Sequence, residues 1–242
     1  MSRQVAKQII AGSANLYQQN KRFRFSSVFN YAVAATRSSK PKVCFIGTAN
    51  GDDTNEIERF YRTCRRASLE PNHLQLFPTP NHTEINKLIL SQDIIWVSGG
   101  STANLLAVWK VHGLSPLLEK AWGCGVVLTG NSAGSICWSK GGLTDSYGSE
   151  LKPIINGLGI LPYSSIVHYD NQPQRKLKAR SLIGAGILPA GFATEDGVAI
   201  HYINVQINKA VSNIRNKYAY EISRSSDEDF IEHVIDTEFL PS

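Results

Sequence analysis

Short apolar runs, rich in β-branched residues and closed by glycine, serine or asparagine, recur along the chain. Residues 8–12 (Gln-Ile-Ile-Ala-Gly) form the first and residues 42–47 (Lys-Val-Cys-Phe-Ile-Gly) the second. Residues 74–77, 93–100 and 125–130 supply three more. Fully apolar runs of this length predict strands buried on both faces, as in a parallel sheet. Segments of helical spacing lie between them. Residues 55–67 carry Ile57, Phe60 and Tyr61 at helical intervals, with Thr54 or Asn55 as the cap. Residues 83–91 place Ile85, Leu88 and Ile89 on one face. Residues 102–111 and 116–122 follow the fourth run, and 135–139 follow the fifth. Strands alternating with helices predict an α/β fold: a doubly wound, mostly parallel sheet flanked by helices. Right-handed crossovers would bring the strand ends to one rim, where ligands bind in such sheets.

The second half reads differently. Residues 164–169 predict another strand, and 193–204 contain the run Val198-Ala199-Ile200-His201-Tyr202, with 204–207 continuing as a hairpin. Residues 216–223 predict a further strand, and the tail from Ser225 is acidic. No repeat, low-complexity tract or linker interrupts the chain, so residues 1–242 are expected to form one α/β domain.

Composition narrows the class. At 42% hydrophobic and 19% charged, the chain can bury a sizeable core and is no candidate for disorder. No apolar run reaches the roughly 18 residues of a membrane span. The opening Met-Ser-Arg-Gln-Val-Ala-Lys lacks a signal-peptide core, which leads us to expect a cytoplasmic protein without a membrane partner. The formal charge of +5 is spread along the chain, with clusters at Lys21, Arg22 and Arg24 and at Arg175, Lys176, Lys178 and Arg180. Neither cluster is interleaved with aromatics, so solvated faces are expected rather than a nucleic-acid surface. The second cluster follows His168, so an anionic substrate group is a further reading of it. The four cysteines, Cys44, Cys64, Cys124 and Cys137, form no Cys-x-x-Cys pair and read as reduced thiols. There is no His-Glu-x-x-His pattern, dinucleotide fingerprint or phosphate loop, and no metal or cofactor is expected.

The chemistry centres on Gly130-Asn131-Ser132-Ala133-Gly134. The pattern Gly-x-Ser-x-Gly carries meaning only between a buried strand and a helix, and both are predicted here. Its small residues permit a sharp turn that presents Ser132 at a strand tip and a helix N-terminus, where free N–H groups favour developing negative charge. The bland alternative is a strand-turn-helix junction with a capping serine. Ser98-Gly99-Gly100-Ser101-Thr102 closes another buried strand. Its backbone N–H groups, from Gly99 or Gly100, would pair with that of Ala133 as an oxyanion hole, while Ser101 or Thr102 caps the next helix. A serine nucleophile needs a base oriented by an acid. Of the six histidines, His168 ends an apolar strand and precedes a polar loop. His73 and His82 sit in polar loops, His112 ends a helix, His201 lies within a strand and His233 lies in the tail. Glu195 and Asp196 are adjacent carboxylates before a strand, of which only one can face the site. Asp170 and Asp145 are alternatives.

Together, residues 96–106 (Trp-Val-Ser-Gly-Gly-Ser-Thr-Ala-Asn-Leu-Leu) and 130–138 (Gly-Asn-Ser-Ala-Gly-Ser-Ile-Cys-Trp) resemble the peptidase E/cyanophycinase family of serine peptidases. The resemblance runs from the first strand to about Tyr202 and implies a fold like that of class I glutamine amidotransferases. It implies the chain order serine, histidine, acid, which Ser132, His168 and Asp196 fit, with Glu195 as the alternative acid. It also implies hydrolysis of short peptides through an acyl-enzyme, with aspartyl peptides preferred, and it places Thr102, Asp145 and Arg175 near the substrate. One departure is visible: where the family's first strand ends in several glycines, this chain has Ala11-Gly12-Ser13-Ala14-Asn15. Competing readings are an esterase or amidase on the same machinery, and an inert binding member of the fold. A homodimer is the base-rate expectation.

Overall fold

A computed structural model describes residues 6–18, 23–171, 173–225 and 230–241. Lys21 and Arg22 of the first basic cluster and the acidic stretch 226–229 lie outside the described residues. The first half runs β1 (Gln8–Gly12), α1 (Ser27–Ala35), β2 (Lys42–Ile46), α2 (Thr54–Arg66), β3 (Glu70–Leu74), α3 (Ile85–Leu90), β4 (Ile94–Val97), α4 (Thr102–Val111), α5 (Leu114–Gly123), β5 (Val127–Asn131) and α6 (Ala133–Ile136). The second half runs β6 (Ser139–Thr144), β7 (Lys152–Ile154), β8 (Leu161–Ile166), α7 (Pro173–Gly184), β9 (Gly191–Thr194), β10 (Val198–Ile203), β11 (Gln206–Ser212), β12 (Ala219–Arg224), β13 (Phe230–Ile235) and β14 (Thr237–Phe239).

Among the described residues these strands form two sheets, ordered β14-β11-β10-β1-β5-β4-β2-β3 and β13-β12-β9-β8-β6-β7. In the first, β1, β5, β4, β2 and β3 are parallel neighbours. In the second, β6, β8 and β9 are parallel. The α/β fold with mostly parallel strands flanked by helices is as expected; its division into two sheets is not evident from the apolar runs.

Strand alternation explains why those runs carry no polar positions. Ile9, Ile46, Ile95 and Leu128 pack with α4 and α5 on one face, and Ile10, Phe45, Trp96 and Val127 pack with α1 and α2 on the other. Helix starts follow from capping chemistry. Asp53, rather than Thr54 or Asn55, caps α2 by accepting the Glu56 N–H at 2.9 Å. Ser101 caps α4 by accepting from Asn104 N–H at 3.2 Å. The strand expected at 74–77 instead occupies Glu70–Leu74. Asp52 Oδ2 takes the N–H groups of Leu76 (2.6 Å) and Phe77 (2.9 Å), and this withdraws them from any ladder. The helix expected at 135–139 starts earlier, at Ala133, and Ser139 already belongs to β6. No helix among the described residues is long and apolar enough to cross a membrane.

Candidate active site

The site forms at the carboxyl ends of β1, β4 and β5, with a loop and a turn from the second sheet leaning in. Ser132 stands between β5 and α6 with φ 54° and ψ −116°, a conformation that costs about 1–3 kcal/mol outside glycine. The glycines around it are required by close backbone approach. A Cβ on Gly134 would lie 2.2 Å from Val97 O, and one on Gly130 would lie 2.4 Å from Gly134 O. The strain is held by Ser132 N–H donating to Gly12 O at 2.9 Å.

Gly99 abuts the elbow: a Cβ built on it would sit 3.3 Å from Ser132 Cβ. Gly100 packs elsewhere, its backbone pressed on Ala49, where a Cβ would meet Ala49 O at 2.1 Å. Gly99 donates no backbone hydrogen bond among the described residues, and Ala133, first in α6, has no intrahelical acceptor. Of the expected oxyanion donors, Gly99 and Ala133 therefore adjoin Ser132, whereas Gly100 serves the β4–α4 turn.

His168 lies just past β8, also at positive φ (55°). Its Nδ1 is 2.5 Å from Asp196 Oδ1. Asp196 Oδ2 accepts from Asn171 Nδ2 (3.1 Å), and the Asp196 N–H donates to Asp170 Oδ1 (2.9 Å). Asp170 is in turn ion-paired with Lys217. Burial pushes the Asp170 carboxyl up, but the Lys217 ammonium and the donated N–H groups outweigh it and hold the group below its ordinary value. Glu195 faces away, accepting from Tyr220 Oη (2.8 Å) and Tyr218 N–H (3.0 Å). Of the two adjacent carboxylates, it is Asp196 that meets the histidine.

Sequence reasoning missed the residue that joins these pieces. Ser13 is 1% exposed, and its Oγ accepts the His168 N–H (2.8 Å) while contacting Thr194 O (2.9 Å) and Thr194 Oγ1 (2.7 Å). Its own backbone donates to Val198 O (2.7 Å) and accepts from Gly197 N–H (3.3 Å). Gly12 and Ser13 thus hold the elbow, the histidine loop and the acid turn on consecutive residues. The signal available was positional: a small polar residue directly after a buried strand end.

The remaining expected substrate contacts are engaged within the protein. Arg175 is 4% exposed and donates to Asp145 Oδ2 at 3.2 Å. Burial pushes its guanidinium down, and Asp145 and Asp196 oppose that shift. The other cations of its cluster form the solvated face of α7, where Lys176 pairs with Glu232. Thr102 is buried, and Thr144 Oγ1 donates to its hydroxyl at 3.3 Å. The alternative histidines are engaged elsewhere: His73, on β3 rather than in a loop, contacts Tyr61 Oη (2.9 Å), His112 caps α4, and His201 contacts Tyr31 Oη (2.8 Å).

Two cavities share the walls Asn15 and Tyr17. One, of about 380 Å³, borders Ser98, Gly99 and Asn131. The other, of about 300 Å³, borders His168, Asn171, Asp196 and Asn213. Arg175, Asp145 and Thr102 line neither. Among the described residues no group of three His, Cys, Asp or Glu side chains is placed to hold a metal ion.

The chain is similar to known peptidases. The family model for peptidase family S51 matches residues 9–210. The uncharacterized peptidase YgaJ of Bacillus subtilis strain 168 is 38% identical over 202 residues, covering 84% of this chain and 86% of that protein. A crystal structure of a peptidase from an acI-B1 actinobacterium matches with TM-score 0.69 at 15% identity, over 97% of this chain and 96% of the other. A candidate peptidase E protein from Listeria monocytogenes EGD-e matches with TM-score 0.60 at 20% identity, over 84% and 97%. At those identities the two structures establish likeness of fold alone.

Proposed function

Because the chain belongs to peptidase family S51 and is a serine-type peptidase, we propose that Ser132, His168 and Asp196 are its catalytic triad, acting on short peptides. The observation that carries this reading is the 2.5 Å contact between His168 Nδ1 and Asp196 Oδ1, hung from the same strand end that anchors the strained Ser132. With Nδ1 committed to the carboxylate, Nε2 is the nitrogen left to take a proton. Ser132 Oγ makes no hydrogen bond among the described residues, so its rotation onto Nε2 breaks no existing contact.

In the proposed cycle, His168 Nε2 takes the Ser132 hydroxyl proton as Oγ attacks the scissile carbonyl carbon. The carbonyl oxygen becomes an oxyanion facing the N–H groups of Gly99 and Ala133. Collapse of the adduct breaks the C–N bond, and the proton on Nε2 passes to the leaving amine. Water then gives a proton to Nε2 while its oxygen attacks the acyl carbon, and Ser132 leaves with that proton returned. Asp196 stabilises the imidazolium at each stage. Cavities of about 300 and 380 Å³, beside His168 and beside Gly99, are of a size that supports short peptides over long chains. A preference for an acidic N-terminal residue, as in aspartyl dipeptides, is the finer reading.

The test is amine release from a dipeptide panel with and without N-terminal Asp. Ser132→Ala is expected to remove hydrolysis by at least about 1,000-fold with an unchanged unfolding midpoint. Wild-type turnover in that variant refutes the triad.

A further inference from the structure

The cavity beside Gly99 has the features of a binding site, and the triad does not use it. Its floor is apolar, formed by the buried rings of Phe45 and Trp96. Tyr17 and Ser98 also line it, and their hydroxyls are buried with no hydrogen-bond partner among the described residues. Among the described residues the cavity is lined by one cation and one carboxylate, Arg59 and Glu56 of α2. The Arg59 guanidinium lies 3.7 Å from the Tyr17 ring centroid. Stacking of this kind orients the planar fork before any ligand arrives. Among the described residues its one ion pair, with Glu56, is a single contact of 3.5 Å a helical turn away, so the fork keeps donors for a second carboxylate.

The direction of the substrate follows from proton transfer. His168 delivers its proton to the leaving amine, so the leaving half lies on the His168 side of Ser132. The acyl half then extends past Gly99 into the cavity beside it. We propose that this cavity receives the N-terminal residue of the substrate and that Arg59 binds a carboxylate carried on it, which makes Arg59 the specificity-determining residue. The inference rests on the serine-peptidase reading above. It puts the acidic preference on Arg59 rather than on Arg175, which is buried against Asp145.

The test compares L-Asp-L-Leu with its near-isostere L-Asn-L-Leu in the wild type, Arg59→Met and Arg59→Lys. The ratio of kcat/KM for the two dipeptides is expected to fall about 10- to 100-fold in Arg59→Met, the worth of a charge-assisted hydrogen bond, and to recover in part in Arg59→Lys. Equal loss on both dipeptides, or an unchanged ratio, overturns the proposal. L-Asp-L-Leu amide separates the two carboxylates: if the Arg59 effect vanishes with the amide, the cation reads the leaving residue and the placement is refuted. Titration of L-Asp-L-Leu into Ser132→Ala and Ser132→Ala/Arg59→Met needs no turnover. Binding that weakens only when Arg59 is replaced supports the subsite even should Ser132 prove not to be the nucleophile, and equal binding overturns it.

Discussion

Ser13→Ala removes one oxygen on which the histidine loop and the acid turn both depend. In the native protein Ser13 Oγ accepts the His168 N–H at 2.8 Å and bonds the Thr194 carbonyl at 2.9 Å. Thr194 O keeps the Tyr169 N–H at 3.0 Å, so the uncompensated losses are the His168 N–H and the contact to the Thr194 hydroxyl at 2.7 Å. An N–H left without an acceptor in a partly buried position costs about 1–2 kcal/mol, and the lost contact to Thr194 adds about 1 kcal/mol. The total, about 2–3 kcal/mol, lowers the unfolding midpoint by roughly 4–10 °C in a chain of this size. The kinetic effect comes from geometry. His168 sits at φ 55°, and without its clamp the backbone can relax toward commoner values. A displacement of about 1 Å at a catalytic group costs up to about 100-fold, so kcat on a dipeptide should fall about 10- to 100-fold with KM nearly unchanged. Steady-state kinetics with thermal unfolding measures both. A variant that keeps wild-type kcat while losing the full midpoint shift shows that Ser13 holds the fold without positioning the base, and refutes the reasoning.

Other expectations follow from the same geometry. Asp196→Asn should lower kcat by about 1,000- to 10,000-fold because it no longer fixes the histidine tautomer. Glu195→Ala should cost about 1–2 kcal/mol through the unpaired Tyr218 N–H while kcat stays within a few-fold; the reverse ranking in parallel assays identifies Glu195 as the acid. Gly134→Ala drives a methyl to 2.2 Å from Val97 O, a backbone atom that cannot rotate away, and should cost about 3 kcal/mol or more in a denaturant titration. His201 is buried on β10, where burial, aided by Lys209, pushes its pKa from 6.5 to about 4. The unfolded chain therefore binds a proton that the folded chain refuses between about pH 6.5 and pH 4. Stability should be complete above that window and decline by about 3 kcal/mol as pH falls through it. His201→Leu should flatten that limb of the stability–pH curve, and an unaltered slope assigns it to other groups.

The Arg175–Asp145 pair shows what position along the chain leaves open. A cation a few residues past a catalytic histidine invites assignment to the substrate. On α7, however, Arg175 occupies the one turn position of its basic cluster that faces inward, beside buried Ala179 and Leu182, while Lys176, Lys178 and Arg180 face solvent. Helical period decides between the two fates, and it becomes readable only once the register of the helix against the sheet is known.

What the amino-acid order determined alone was local. β1, β2, β4 and β5 were legible because a strand buried on both faces must be apolar at every position, and α4 because a serine cap and an apolar stripe occur in one window. The elbow was legible for the same reason, since both of its close backbone approaches fall on glycines within five residues of sequence. The half-exposed strands β12 and β13, read partly or not at all, carry mixed residues whose burial depends on the sheet they join. Tertiary structure shows which of Glu195 and Asp196 contacts His168, because neighbours in a turn diverge in directions fixed by what the turn is tied to, here Asp170, Asn171 and Ser13. It also brought Arg59 of α2 against Tyr17 of the β1 loop, residues 42 positions apart whose meeting depends on how α2 packs across the sheet. Periodicity and capping are short-range and survive in one dimension, whereas which groups converge on Ser132 is set by strand order, and strand order is a property of the folded sheet.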